Sequence, residues 1–226
     1  MFYFNHLSSL GKYTEGEVNY RMIAIDGVVG VGKTTLMAIL TDAKGYVPYI
    51  EPVVNNPILD KFYHDRERYS FPLQVFFLNE RFKNIKSAST HEKAVLDRSI
   101  YGDLIFAKLL RDSGDMSEEE FQIYLDLFHN MIEHCKPPAL MIYLEISPEE
   151  AMKRIEKRGR DYEQKDVVEA DYWIRLNHEY RDYFSQYTIS PVLKINVDDL
   201  DFENNSEDRA YVLDLINNKL TELGLN

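Results

Sequence analysis

Gly27-Val28-Val29-Gly30-Val31-Gly32-Lys33-Thr34 fits the phosphate-binding pattern G-x-x-x-x-G-K-[ST], and its neighbours decide how it folds. Met22-Ile23-Ala24-Ile25 ahead of it is a short apolar run with strand character, closed by Asp26. Thr35-Leu36-Met37-Ala38-Ile39-Leu40 behind it is a helix-forming run. Strand, glycine-rich turn and helix in that order aim consecutive backbone N–H groups at one anion. The helix start adds free donors and the positive end of a dipole. Lys33 is expected to reach the outer phosphates of a nucleotide and Thr34 to hold Mg²⁺, with Gly27 to Thr35 forming the cradle.

Outward from this stretch, apolar runs recur at 47–50, 94–96, 140–146 and 192–197. Helical patterns lie between them. Leu36, Ile39 and Leu40 share one face; Leu73, Phe76, Phe77 and Phe82 share another. Phe121, Tyr124, Leu125, Phe128, Met131 and Ile132 make a long stripe at helical spacing, expected to be core or a subunit contact. The alternation predicts an α/β domain: a five-stranded parallel sheet with helices on both faces. Residues 22–226 are expected to form that domain, with residues 1–21 a tail in front of it and Met22 a candidate natural start. Residues 198–208 read as an acidic connector before a last helix. In such a sheet ligands gather beyond the C-terminal strand ends, so the polar residues there are the ones to weigh.

The net charge of −12 argues against a nucleic-acid binder, which needs a basic face. A small neutral substrate fits better, with nucleotide charge met by local Lys, Arg and Mg²⁺. No apolar run reaches the ~18 residues of a membrane span. A single cysteine, Cys135, excludes an internal disulfide and fits a reducing, cytoplasmic location; it reads as a small buried residue. The six histidines form no ligand set and there are no paired cysteines, so a structural zinc is not expected.

Glu51 follows the second strand and precedes Pro52, which keeps it extended at the strand tip. It is placed to act as a general base facing the phosphate loop, or to be a solvated turn acid. Asp97-Arg98-Ser99 follows the third strand. Asp97 is placed to be a second hold on Mg²⁺, or a helix cap; Arg98 beside it can stabilise charge on a moving phosphoryl group. Arg154 and Arg158 share a helix face, Gly159 breaks that helix, and Arg160 continues beyond it. This basic cluster reads as a lid that closes on phosphates, about residues 154–166, or as a solvated cationic helix end.

Together these segments resemble the deoxyribonucleoside kinases, most closely the bacterial deoxyadenosine/deoxyguanosine kinases. The resemblance rests on the phosphate loop, Ile50-Glu51-Pro52-Val53, Phe62-Tyr63, the block from Phe71 through Gln74 and Arg81 to Phe82, Asp97-Arg98-Ser99 with Asp103, and Arg154 through Arg158, Gly159 and Arg160 to Glu163. It implies a P-loop kinase fold with an arginine-rich lid, and ATP-dependent phosphorylation of the 5′-hydroxyl of a purine deoxynucleoside, with deoxycytidine also a candidate. It implies Glu51 as the base, assisted by Arg98 and Lys33. Thr34 and Asp97 would serve Mg²⁺. Tyr63 and Glu163 would hold the 3′-hydroxyl, Gln74 would read the base, and Arg81 with Asp103 would form the pair of purine- and cytosine-accepting members. Arg154, Arg158 and Arg160 would be the lid arginines. Feedback by a deoxynucleoside triphosphate, a place in nucleotide salvage and a helix-bundle homodimer are further implications. The alternatives are a thymidylate-like monophosphate kinase and a non-catalytic subunit of the same fold. Phe106 lies three residues past Asp103, short of the full turn at which the family's base-stacking aromatic sits, and is not assigned to the site.

Overall fold

The computed structural model describes residues 21–50, 53, 56–159 and 170–225. Five strands appear, β1 Arg21–Asp26, β2 Val47–Tyr49, β3 Lys93–Asp97, β4 Leu140–Glu145 and β5 Val192–Asn196, all parallel in the order β2-β3-β1-β4-β5. Each expected run is a strand, within two residues of its expected ends.

Eight α-helices accompany them among the described residues: α1 Lys33–Lys44, α2 Leu59–His64, α3 Arg66–Ala88, α4 Asp103–Asp112, α5 Glu118–Ile132, α6 Pro148–Arg158, α7 Ala170–Gln186 and α8 Ser206–Glu222. None is long and apolar enough to cross a membrane.

Successive residues of a strand point to opposite faces. From Met22 to Asp26 every residue of β1 is buried, and β4 is buried from Leu140 to Leu144, so helices cover both faces of the sheet centre. The edge strands β2 and β5 are only partly buried. The aromatic stripe on α5 is core: Phe121, Tyr124, Leu125, Phe128 and Ile132 are buried within the chain, where α5 packs on α3 and α4, while Met131 is half-buried. Cys135 is buried too, and burial pushes its thiol up to about 12, far from the thiolate.

Chain reversals set where a ligand can sit. From the carboxyl end of β1, α1 leads out to β2; from the carboxyl end of β4, α6 leads the opposite way to β5. β1 and β4 are neighbours, so a crevice opens between their ends. The phosphate loop lies there. On the other side of β1, Ile25 is level with Asp97 of β3, which brings the two polar strand ends together.

Candidate active site

Gly32 has a left-handed backbone, φ 102°, and ends the loop as the cap of α1. A Cβ there would lie 2.7 Å from the ring of buried Phe202, so the position is closed to other residues by conformation and by space. Lys33 is buried, and its ammonium donates to the carbonyls of Gly27 and Val28 at 3.0 and 2.8 Å, inside the curl of the loop. Thr34 donates its hydroxyl to Asp97 Oδ2 at 2.7 Å. These two hard oxygen ligands converge at the tip of β3 beside the loop, and their chemistry suits Mg²⁺. Val28 and Val31 are buried and line neither of the two cavities that open here; Gly27 contributes backbone alone.

Two cavities open here. The first, about 560 Å³, is walled by Gly30 and Gly32 to Thr35, by α6, and by residues 200–204. Five cations line it (Lys33, Lys153, Arg154, Lys157 and Arg158) against Glu150, Asp201 and Glu203. A local positive excess in an acidic chain fits a polyphosphate. Hydrogen bonds from Asn204 hold the Asp201 carboxyl below its usual range, so it stays ionised. Arg154 donates to the carbonyls of Val197 and Leu200 at 2.7 and 3.2 Å and to Glu150 at 3.3 Å, bracing the far wall. Arg158 ends α6, and Gly159, at φ 69°, stops the helix where the sequence places the break.

The second cavity, about 280 Å³, has mostly apolar walls of Val29, Ile50, Val53, Leu59, Phe62, Leu73, Phe77 and Phe106. Tyr63, Gln74, Arg81, Asp97, Arg98 and Tyr172 are its polar groups outside the loop and α6. Gln74 and Arg81 sit two turns apart on the buried face of α3. Gln74 is only 4% exposed, and its amide carries both donors and acceptors for a base edge. Arg81 forms an ion pair with Asp103 at the start of α4 and lies over the Phe77 ring, 4.8 Å from its centre. Asp103 does not line the cavity; it acts on it through Arg81. Burial pushes the Tyr172 phenol up to about 12, so this side chain stays neutral.

Gly30, Lys33, Thr34 and Arg158 line both cavities. A group held in one therefore faces a group held in the other across the cradle. Glu51, Arg160 and Glu163, as well as tail residues 1–20, lie outside the described residues.

A family model described as deoxynucleoside kinase matches residues 23–222. The chain belongs to the deoxynucleoside kinase family. It is 42% identical over 210 residues to a deoxyguanosine kinase of Lactobacillus johnsonii, covering 90% of this chain and 94% of that one. It is 40% identical over 199 residues to a deoxyadenosine/deoxycytidine kinase of Bacillus subtilis, covering 86% and 91%. Among solved structures, deoxyadenosine kinase from M. mycoides with bound dATP matches with a TM-score of 0.77 and 30% identity, over 87% of this chain and 99% of that one.

Within this deoxynucleoside kinase frame, sequence reasoning passed over several wall residues. Phe106 lines the second cavity with its ring 4.9 Å beneath the Arg98 guanidinium, although it lies short of the expected position. Residues 200–204 read only as an acidic connector, yet they wall the first cavity. Tyr172 opens α7, and no local pattern marks it.

Proposed function

We propose that this chain transfers the γ-phosphoryl group of ATP to the 5′-hydroxyl of a purine deoxynucleoside, with Mg²⁺ held through Thr34 and Asp97. The observation that carries this reading is the shared wall of Gly30, Lys33, Thr34 and Arg158 between a cationic cavity and a small apolar one. The triphosphate suits the first, with its outer phosphates at Lys33 and the α6 arginines. The nucleoside suits the second, with its base toward Gln74 and Arg81 and its sugar toward the loop.

Mg²⁺ would neutralise charge on the bridging oxygens of the triphosphate. Transfer passes through a loose transition state, so positioning and charge stabilisation supply most of the catalysis. Lys33 and Arg98 hold cationic donors beside the cradle. Glu51, next to Ile50 of the cavity wall, is assigned to orient the 5′-hydroxyl and take its proton as the bond forms. Tyr63 and Glu163 are assigned to the 3′-hydroxyl. Arg160 is assigned with Arg154 and Arg158 to the donor phosphates. Homodimerisation and a cytoplasmic location complete the proposal, and sedimentation equilibrium checks the first.

A panel of deoxynucleosides and their monophosphates, each with ATP and Mg²⁺, tests the reading. Deoxyadenosine and deoxyguanosine are expected to be the leading acceptors. Turnover of a monophosphate in preference to its nucleoside would replace it with a monophosphate kinase. Glu51→Gln is expected to lower kcat by about 100-fold or more, within the usual range for a general base.

A further inference from the structure

Behind Arg98 lies a chain of buried polar groups that the proposed chemistry does not yet use. Arg98 is the one described non-glycine residue with a left-handed backbone, φ 67°, held by its own N–H bonded to Ile25 O at 2.9 Å. Such a conformation persists where the surroundings enforce it. Its guanidinium donates through Nη1 to the Tyr180 hydroxyl. A guanidinium has no acceptor, so the phenol oxygen must accept and its proton is left for another partner. That partner is Asp26 Oδ1, 3.2 Å away. Tyr180 and Asp26 are both fully buried, and Arg98 is 5% exposed.

Asp26 in turn fixes the neighbouring backbone. Its Oδ1 accepts from the N–H of Gly27, the first amide of the phosphate loop, at 2.9 Å. Its Oδ2 accepts from the N–H of Ser99 at 3.4 Å. Oδ2 also occupies the space a Cβ at Gly102 would need, 2.5 Å away. One carboxylate thus ties the loop to the turn that carries Arg98. The Tyr180 ring is held by near-parallel stacks with Tyr143 and Phe184, and by the edge of Phe106, the ring that also underlies Arg98.

We infer that Tyr180, on α7, is a positioning residue for catalysis: its hydroxyl, oriented by Asp26, holds the Arg98 guanidinium in the wall of the second cavity. The inference rests on the reading of Arg98 as a charge-stabilising catalytic residue. A long side chain is free to sample many rotamers; a hydroxyl on a stacked ring removes that freedom before substrate arrives. The effect belongs in kcat, because neither cavity is lined by Tyr180.

Steady-state kinetics on the full chain decide it. Tyr180→Phe keeps the stack and removes the hydroxyl. Its kcat is expected to fall about 10- to 100-fold, the cost of a small misplacement, with KM for ATP and deoxyadenosine within about twofold. On an Arg98→Lys background the same change is expected to add less than about twofold, because both act through one group. Tyr183→Phe is the control. It removes a hydroxyl that bonds Tyr101 O from the same helix, and is expected to lower Tm while leaving kcat intact. Tyr180→Met, which fills the space without a hydroxyl, takes its place if Tyr180→Phe does not fold; Asp26→Asn is not equivalent, because Asp26 also pairs with Arg98 directly at 3.5 Å and bonds the Gly27 N–H. Wild-type kcat in Tyr180→Phe beside a slow Arg98→Lys overturns the inference, as do losses that multiply in the double variant. Wild-type turnover in Arg98→Lys overturns the assignment of Arg98, and this inference with it.

Discussion

At the scale of single residues, the site is built from positions that tolerate one side chain. Gly32→Ala would strain a left-handed backbone by about 1–2 kcal/mol and drive a methyl group into the Phe202 ring. Phe202 belongs to the wall of the cationic cavity, so the damage should appear in nucleotide binding. The KM for ATP is expected to rise at least tenfold, with a smaller change in the KM for deoxynucleoside; equal changes in both would place the strain elsewhere. Arg81 and Asp103 show the other side of the same constraint. Both are nearly fully buried, and Asp103 Oδ2 has no hydrogen-bond partner among the described residues. Removing one member of a buried pair costs about 3–5 kcal/mol, whereas replacing both with apolar residues is often neutral. Arg81→Leu is expected to lower Tm by roughly 6–20 °C at about 2–4 °C per kcal/mol. Adding Asp103→Leu is expected to restore most of the Tm without restoring activity on purine deoxynucleosides. A double variant as unstable as the single one would show that the pair is not the source of the loss.

At the scale of elements, α6 forms a wall of the cationic cavity, and its start is held by two side chains. Ser147 caps its start by accepting from Glu150 N–H, and the Ser147 N–H donates to Asp198 Oδ1 at 2.7 Å. Burial pushes the Asp198 carboxyl up, but hydrogen bonds from Ser147 and Asn196 and the nearby Arg154 outweigh it and leave it below its ordinary value. A carboxyl lower in the folded than the unfolded chain stabilises above the unfolded value, about 3.9, and loses that contribution as the pH falls through the folded value. Wild-type stability should therefore decline below about pH 4, and Asp198→Asn should be less stable at neutral pH with a shallower acid decline. Denaturant midpoints from pH 7 to pH 2.5 check this; parallel curves would remove Asp198 from the acid response. The elements themselves were largely legible in the sequence, because the central strands β1 and β4, buried on both faces, read as unbroken apolar runs. The α5 stripe was equally plain, although its period could not say whether the chain's own helices or another subunit would cover it; α3 and α4 do. Tyr180 and Asp26 were not legible as partners. They meet across 154 residues, and neither carries a local signature of that meeting. Residues 200–204 look like a solvated acidic turn, and only the path of the sheet brings them to the loop.

At the scale of the whole molecule, the chain carries −12 overall yet gathers five cations around one crevice. That crevice and the smaller apolar cavity beside it predict two ligand sites that meet without overlapping. The unfolded chain has neither cavity, so each ligand stabilises the folded state according to its own occupancy, by about 2.7 kcal/mol at a hundred times its Kd. For a chain of this size that corresponds to a rise in Tm of roughly 5–10 °C. Deoxyadenosine alone and a non-hydrolysable ATP analogue with Mg²⁺ alone are each expected to give such a rise. Together they should give at least the sum, because Gly30, Lys33, Thr34 and Arg158 form a common wall that either ligand orders for the other. Omitting Mg²⁺ should shrink the analogue's shift and leave that of deoxyadenosine unchanged, since Thr34 and Asp97 would act on phosphate rather than on base or sugar. A joint shift no larger than the greater single shift would mean that the two ligands compete for one cavity, and direct transfer across the shared wall would then be impossible.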